Sequence, residues 1–161
     1  MKVDASKDDD SLALEDRLAV VDVETTGLTN RDRIVEVAVV LMDYNGVVID
    51  EYDTLVNPER DVGPTNIHGV TASMVSAAPT FEEIATALAS RLGDAVLVAH
   101  NLAFDARCLV NEYSRTGSCL LPGNGICTLR MTGERLNLAC QRYGTVIESQ
   151  HRALADARAT A

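Results

Sequence analysis

Four acidic residues and one histidine stand where their neighbours are apolar. Asp22 and Glu24 close the run Ala19-Val20-Val21-Asp22-Val23-Glu24-Thr25-Thr26-Gly27. Its first part, Leu18–Val23, is rich in β-branched residues and nearly continuous in apolar character, which predicts a central strand covered on both faces. Residues i and i+2 of a strand share a face. Two carboxylates therefore project side by side, where repulsion and desolvation are costly unless compensated. A divalent cation would compensate both; a strand ending at Val23, with both acids in water, would avoid the cost. Asp105 follows a second buried run, Ala95-Val96-Leu97-Val98-Ala99. It falls in the first turn of a helix, where the helix dipole favours a carboxylate in any case. Asp156 sits in an Ala-rich helix, and His151 precedes it by five residues at the helix entrance. An imidazole titrates near neutrality and can take a proton from water, although a lone histidine there also reads as a surface or capping group.

Taken one at a time, each of these residues has an ordinary structural explanation. Together they form an ordered set of hard oxygen donors without Cys and His at ligand spacing, which favours Mg²⁺ or Mn²⁺ over Zn²⁺. Two such ions about 3.5–4 Å apart clamp the attacking and leaving oxygens of a phosphoryl displacement. The charge balance agrees. The chain of 161 residues carries a formal charge of −10, and the excess of acid lies in its first hundred residues. A broad basic face for binding nucleic acid through its phosphates is therefore excluded. With no Trp, two Phe and four Tyr, an aromatic platform for many bases is excluded as well. A polyanion would have to be attracted by bound metal.

The elements that must position these groups follow from periodicity. Leu18–Val23, Ile34–Met42 and Val47–Val56 read as three strands, the last two joined by a tight turn at Asn45-Gly46. A loop over Asn57–Thr65 precedes a helix opened by a Thr80–Glu83 capping box and stopped by Gly93. A short strand, Ala95–Ala99, leads into a helix over Phe104–Arg115 that ends at Gly117. A strand near Ile126–Thr128, a helix around Leu136–Tyr143 and a last helix from Arg152 complete the order. This order predicts an α/β fold, a mixed five-stranded sheet flanked by helices. Residues 1–16 read as a flexible acidic lead and 17–161 as a single domain. The polar, acidic start is unlike a secretory signal and no apolar run approaches a membrane span, so neither is expected. Cys108, Cys119, Cys127 and Cys140 form no CxxC pair and read as reduced thiols of a cytoplasmic protein.

The three segments VDVETTG, HNLAFDARCL and HRALADA resemble the exonuclease motifs of the DEDDh family, which includes the proofreading epsilon subunit of bacterial DNA polymerase III. The likeness runs from about Leu18 to the chain end and also covers NIHGVTASMV and ICTLRM. It implies an RNase H-like fold and 3′→5′ hydrolysis of a nucleic acid strand to nucleoside 5′-monophosphates. It further implies that Asp22, Glu24, Asp105 and Asp156 hold two divalent ions, Mg²⁺ or Mn²⁺, and that His151 is the general base. By the same likeness Thr25, Thr26, Gly27 and Leu28 touch the terminal nucleotide, with Leu28 wedged against a base. His68 is either near the substrate or a loop histidine. Asn101, also in the HNLAFDARCL segment, is either at the substrate or a side-chain cap of the Asp105 helix. His100 reads as a packing residue, and Arg107, Arg115, Arg130 and Arg142 are candidate phosphate contacts.

The expected partner is a single-stranded 3′ end, DNA rather than RNA because Thr25-Thr26-Gly27 looks like the proofreading group. Alternatives are a ribonuclease trimming RNA 3′ ends, and a silent binding module of the same fold, whose mark would be a missing carboxylate or histidine. The chain ends ten residues after His151, where relatives continue the last helix, and it shows no polymerase-binding extension. Polymerase association is therefore not an expectation.

Overall fold

Burial sorts the strands as the apolar patterning demands. The computed structural model describes residues 17–120 and 123–161; the acidic lead over 1–16 lies outside them. Strand β1 (Arg17–Thr25) is the middle of a five-stranded sheet in the order β3-β2-β1-β4-β5 among the described residues. Its neighbour β2 (Ile34–Asp43) is antiparallel to it and buried from Ile34 to Met42, as a strand that is apolar but for Glu36 demands. Strand β3 (Val48–Leu55) is the edge, with alternating exposure. The turn between β2 and β3 is wider than a two-residue hairpin. Asp43 caps it, its carboxylate accepting the N–H of Asn45 and of Val47, and Gly46 takes φ +81° to return the chain.

Strands β4 (Val96–Ala99) and β5 (Ile126–Cys127) run parallel to β1. The sheet is therefore mixed, as expected. Pairing of β4 with β1 stops at Val20, so the last residues of β1 extend past their parallel neighbour. In sheets of this kind ligands gather in the crevice at the carboxyl ends of parallel strands.

Two helices of four residues, α1 (Thr65–His68) and α2 (Ala72–Val75), precede α3 (Phe81–Leu92). Single turns lack a periodic signal, and none was expected here. The Glu83 carboxylate accepts the Thr80 N–H at 2.7 Å, the half of the capping box that closes the α3 entrance. Gly93 still has right-handed angles, so α3 ends without the left-handed glycine stop that the sequence suggested. Then follow α4 (Leu102–Arg115), α5 (Thr128–Thr132), α6 (Leu136–Tyr143) and α7 (Ala153–Thr160). One sheet face packs Val21, Val23, Val37 and Val39 against Phe81, Leu88, Leu109 and Tyr113. The other packs Val20, Ala38, Val40 and Val98 against Ala153 and Ala157, small residues that let α7 lie close to the strands. No helix among the described residues is long and apolar enough to cross a membrane.

A buried ion pair fastens α4, the carrier of Asp105, to the start of β2. The Glu112 carboxylate accepts two bonds from Arg33 Nε (2.9 and 3.1 Å) and one from the Ile34 N–H, and pairs with Arg115 at 3.2 Å. Removing one partner of such a pair strands the other without compensation. Glu112→Ala should cost about 3–5 kcal/mol, read as a fall in melting temperature on the order of 10 °C. A melting point within about 2 °C of the unchanged protein would show that the pair fastens nothing.

Candidate active site

The end of β1 continues past β4, and this geometry creates the site. Beyond Val20 the strand has no parallel partner, and the free N–H of Val23 donates instead to Asp105 Oδ1 at 3.3 Å. Asp105 is thereby set at the first turn of α4, close to Asp22. Helix α7 crosses the face of the sheet onto which Asp22 and Glu24 project and brings Asp156 over them. The result is a cleft of about 450 Å³ lined by Asp22, Glu24, Asp105, Asp156, His151 and Asn101, with Arg135, Asn137 and Gln150 on its wall. The alternative in which Asp22 and Glu24 are solvated loop acids fails, because both lie within β1 and neither is exposed.

Burial dominates the electrostatics of these acids, and like charge adds to it at Asp22 and Glu24. Burial, then the charges of Asp105, Asp156, Glu24 and Glu36, hold the Asp22 carboxyl well above its usual range. Glu24 is pushed up to about 7 by burial and by Asp156 and Glu36, with Arg152 opposing. Burial raises Asp105 against the pull of the Val23 N–H, and raises Asp156 against the N–H of His151. Carboxyls with raised pKa values, converging on one cleft, mark a functional site.

The donor set fits a cation. Glu24, His151 and Asp156 offer ligand atoms that lie within 4.8 Å of one another. One oxygen of Asp156 accepts the His151 N–H at 3.1 Å, while the other, Oδ1, is buried without a hydrogen-bond partner among the described residues. A buried carboxylate oxygen without a donor is destabilised unless a cation takes that place. His151 is exposed and has φ +62°, a left-handed angle rare for a side chain with a Cβ.

The remaining candidates divide. Asn101 lines the cleft at the N-cap position of α4, but its side chain does not cap the helix, correcting that expectation. His100 is on the cleft wall rather than a mere packing group, and its Nδ1 bonds the Thr128 hydroxyl at 2.9 Å. The side chains of Thr25 and Thr26 are spent internally: Thr25 Oγ1 donates to the Gly27 carbonyl and Thr26 Oγ1 to Asp32. The Thr26 N–H is also taken, by the Arg33 carbonyl. Gly63 packs against this turn so closely that a Cβ there would lie 2.2 Å from the Thr26 carbonyl oxygen. Leu28 stands 77% exposed. His68 does not line the cleft; it is buried at the end of α1, its Nδ1 accepting the Val70 N–H. Three of the four arginines expected at phosphates are engaged elsewhere. Arg107 bonds the Leu28 carbonyl, Arg115 bonds Glu112 and the Asn30 carbonyl, and Arg142 pairs with Glu134. The cation on the cleft wall is Arg135. Two residues behind the cleft, Glu36 and Arg152, carried no sequence signal beyond a lone acid in an apolar strand and a lone base before a helix.

Comparison with known proteins agrees with this geometry. The family model described as Exonuclease (RNase_T) matches residues 19–161. The PolC-type DNA polymerases III of Staphylococcus epidermidis and Staphylococcus aureus are 37% and 35% identical over 88% and 98% of this chain. The chain spans only 11% and 12% of their length. Among solved structures, exonuclease I superposes with a TM-score of 0.80 at 20% identity, covering 90% of this chain and 39% of that one. The nuclease domain of 3′hExo, a DEDDh family member bound to rAMP, superposes at 0.75 and 17% identity, covering 89% and 87%. The fold is thus RNase H-like, and the chain belongs to the exonuclease family.

Proposed function

We propose that residues 17–161 form a single domain that removes nucleotides from the 3′ end of single-stranded DNA, releasing nucleoside 5′-monophosphates. The observation that carries this reading is the convergence of Asp22, Glu24, Asp105, Asp156 and His151 on one cleft. Asp22, Glu24, Asp105 and Asp156 are the residues that would hold two divalent ions, Mg²⁺ or Mn²⁺. Bound there, the ions would supply the positive charge that stabilises the attacking and leaving oxygens of an in-line displacement.

The chain's own groups do the rest. His151, exposed beside the acids, takes the proton of the attacking water. The neighbouring Asp156 carboxylate holds the His151 backbone through the N–H bond. Leu28, the exposed apolar side chain a few residues beyond Glu24, offers a face for the terminal base. Thr25 and Thr26 shape the turn that presents Leu28, since their side chains are bonded within it. Asn101 and Arg135 supply polar contacts on the cleft wall to an anionic strand.

DNA as substrate is supported by the names of the matched polymerases and by exonuclease I having been crystallised with dT13 and dA16 oligonucleotides. A ribonuclease reading has its own support in the rAMP of 3′hExo. A cytoplasmic setting goes with either reading, supported by four free cysteines. The polymerase names belong to the relatives, and no partner follows for this chain.

With Mn²⁺, matched DNA and RNA oligomers should show faster release of mononucleotide from DNA; faster release from RNA would reverse the choice. Asp22→Asn should abolish Mn²⁺-dependent turnover while leaving the circular dichroism spectrum unchanged. His151→Ala should lower turnover by about 10²–10⁴, and a loss under about tenfold would remove the histidine from the base role. The raised carboxyls also set a pH dependence. A carboxyl whose pKa is higher in the folded chain than in the unfolded one stabilises the fold at low pH, and that contribution is lost as pH rises through the folded value, about 7 for Glu24. Melting temperature measured in chelator should therefore fall by several degrees between about pH 5 and pH 8. Mn²⁺ should flatten this slope. A chelated melting curve that rises over the same interval would contradict the crowding of charge.

A further inference from the structure

Glu36 lies on β2 directly across from Glu24 of β1 and is fully buried. Its carboxylate accepts two bonds from Arg152 Nε, at 3.0 and 3.1 Å, one from Arg152 Nη2 at 2.6 Å, and one from the Ala153 N–H at 3.1 Å. These donors come from the entrance of α7, and His151 is the next residue upstream. The two parts of the site thus meet at Glu36: the strand position beside Glu24, and the chain segment that carries the histidine.

A buried ion pair adds little stability over a well-packed apolar replacement, because desolvation cancels most of the attraction. What the planar guanidinium adds is a fixed direction, since its donors match a carboxylate in one geometry only. The two groups positioned by this segment differ in how else they are held. Asp156 lies within α7, which is anchored separately by Ala153 and Ala157 packed on Val20, Ala38 and Val40. His151 lies outside the helix in a left-handed conformation. Among the described residues its hydrogen-bond restraint is the one from its own N–H to Asp156, and the peptide link to Arg152 ties it to the fork. A strained residue keeps such angles only while its surroundings impose them.

We infer that Glu36 is a positioning residue which, through the fork to Arg152, fixes where His151 stands over the acidic cleft. Neither residue touches the reacting atoms; their effect passes through the backbone at position 151. The inference rests on the exonuclease reading above and deepens the role given there to His151.

The test is a set of single-turnover and steady-state assays with Mn²⁺ and a single-stranded oligonucleotide on Glu36→Gln, Arg152→Lys and each of these combined with His151→Ala. Arg152→Lys keeps the charge, removes the fork and alters a side chain that is 41% exposed, so it stays informative even where the buried Glu36→Gln variant does not fold. Positioning predicts that kcat falls about 10–100-fold, the usual effect of partners that orient a site's groups, while KM stays within about twofold. In the His151→Ala background the same changes should cost less than about threefold, because the group they place is gone. Arg152→Lys with kcat within about twofold of the unchanged protein would overturn the inference. So would a full loss repeated in the His151→Ala background. An unchanged protein that degrades neither DNA nor RNA would instead overturn the exonuclease reading, so the two failures are distinguishable.

Discussion

The burial of four acids, Asp22, Glu24, Asp105 and Asp156, in one cleft is the constraint around which this fold is arranged. Burial holds all four pKa values up, and the neighbouring acids add to it at Asp22 and Glu24; the chain must keep the four together against that cost. It does so by fixing each acid to a rigid element: two on the central strand, one at the first turn of α4, and one within α7. The apolar faces of the sheet bury enough surface to hold these elements in place. The site is therefore a strained feature carried by a stable scaffold, in line with the general conflict between stability and function at active sites.

The same economy explains two buried glutamates that are not part of the cleft. Glu112 holds α4 to β2 through Arg33, and Glu36 holds the entrance of α7 to β2 through Arg152. Each carboxylate is satisfied by a guanidinium and by a backbone N–H at the start of an element, Ile34 in one case and Ala153 in the other. Both pairs are thus attached to backbone, and they set register and angle where apolar contacts alone would permit sliding. Among the described residues the four cleft acids have no guanidinium partner of this kind, and Asp105 and Asp156 accept backbone N–H groups. That contrast separates the acids that hold the fold from those available to a cation.

An acidic chain acting on a polyanion looks contradictory until charge is considered locally. Several of the arginines are paired with acids or bonded to carbonyls of neighbouring loops. Attraction of a strand then falls to the cleft itself and to a few wall groups such as Arg135. A grip confined to the last nucleotides suits an enzyme that works from an end, and it agrees with the small number of aromatic side chains. Superposition with exonuclease I at a TM-score of 0.80 and only 20% identity shows how far the sequence can vary while the fold persists.

Much of this was legible in the chain because it depends on local pattern. Apolar runs identified β1 and β2, the period of Phe104–Arg115 identified α4, and the spacing of Asp22 and Glu24 placed both on one strand face. The ordered motifs then pointed to DEDDh chemistry. Contacts distant in sequence were not legible. Glu36 looked like one acid in an apolar strand, and only its pairing with Arg152, 116 positions away, gives it a role. Asn101 was read as a possible side-chain cap and His68 as a possible substrate contact; the fold put Asn101 in the cleft and buried His68 at the end of α1. The short helices α1, α2 and α5 are too brief to show a period. The sequence by itself determined which residues could do chemistry and which elements carry them, since strand and helix periods are local properties. Tertiary structure decided which of those residues meet, because convergence depends on where β1 outruns β4 and on how α7 is locked to β2.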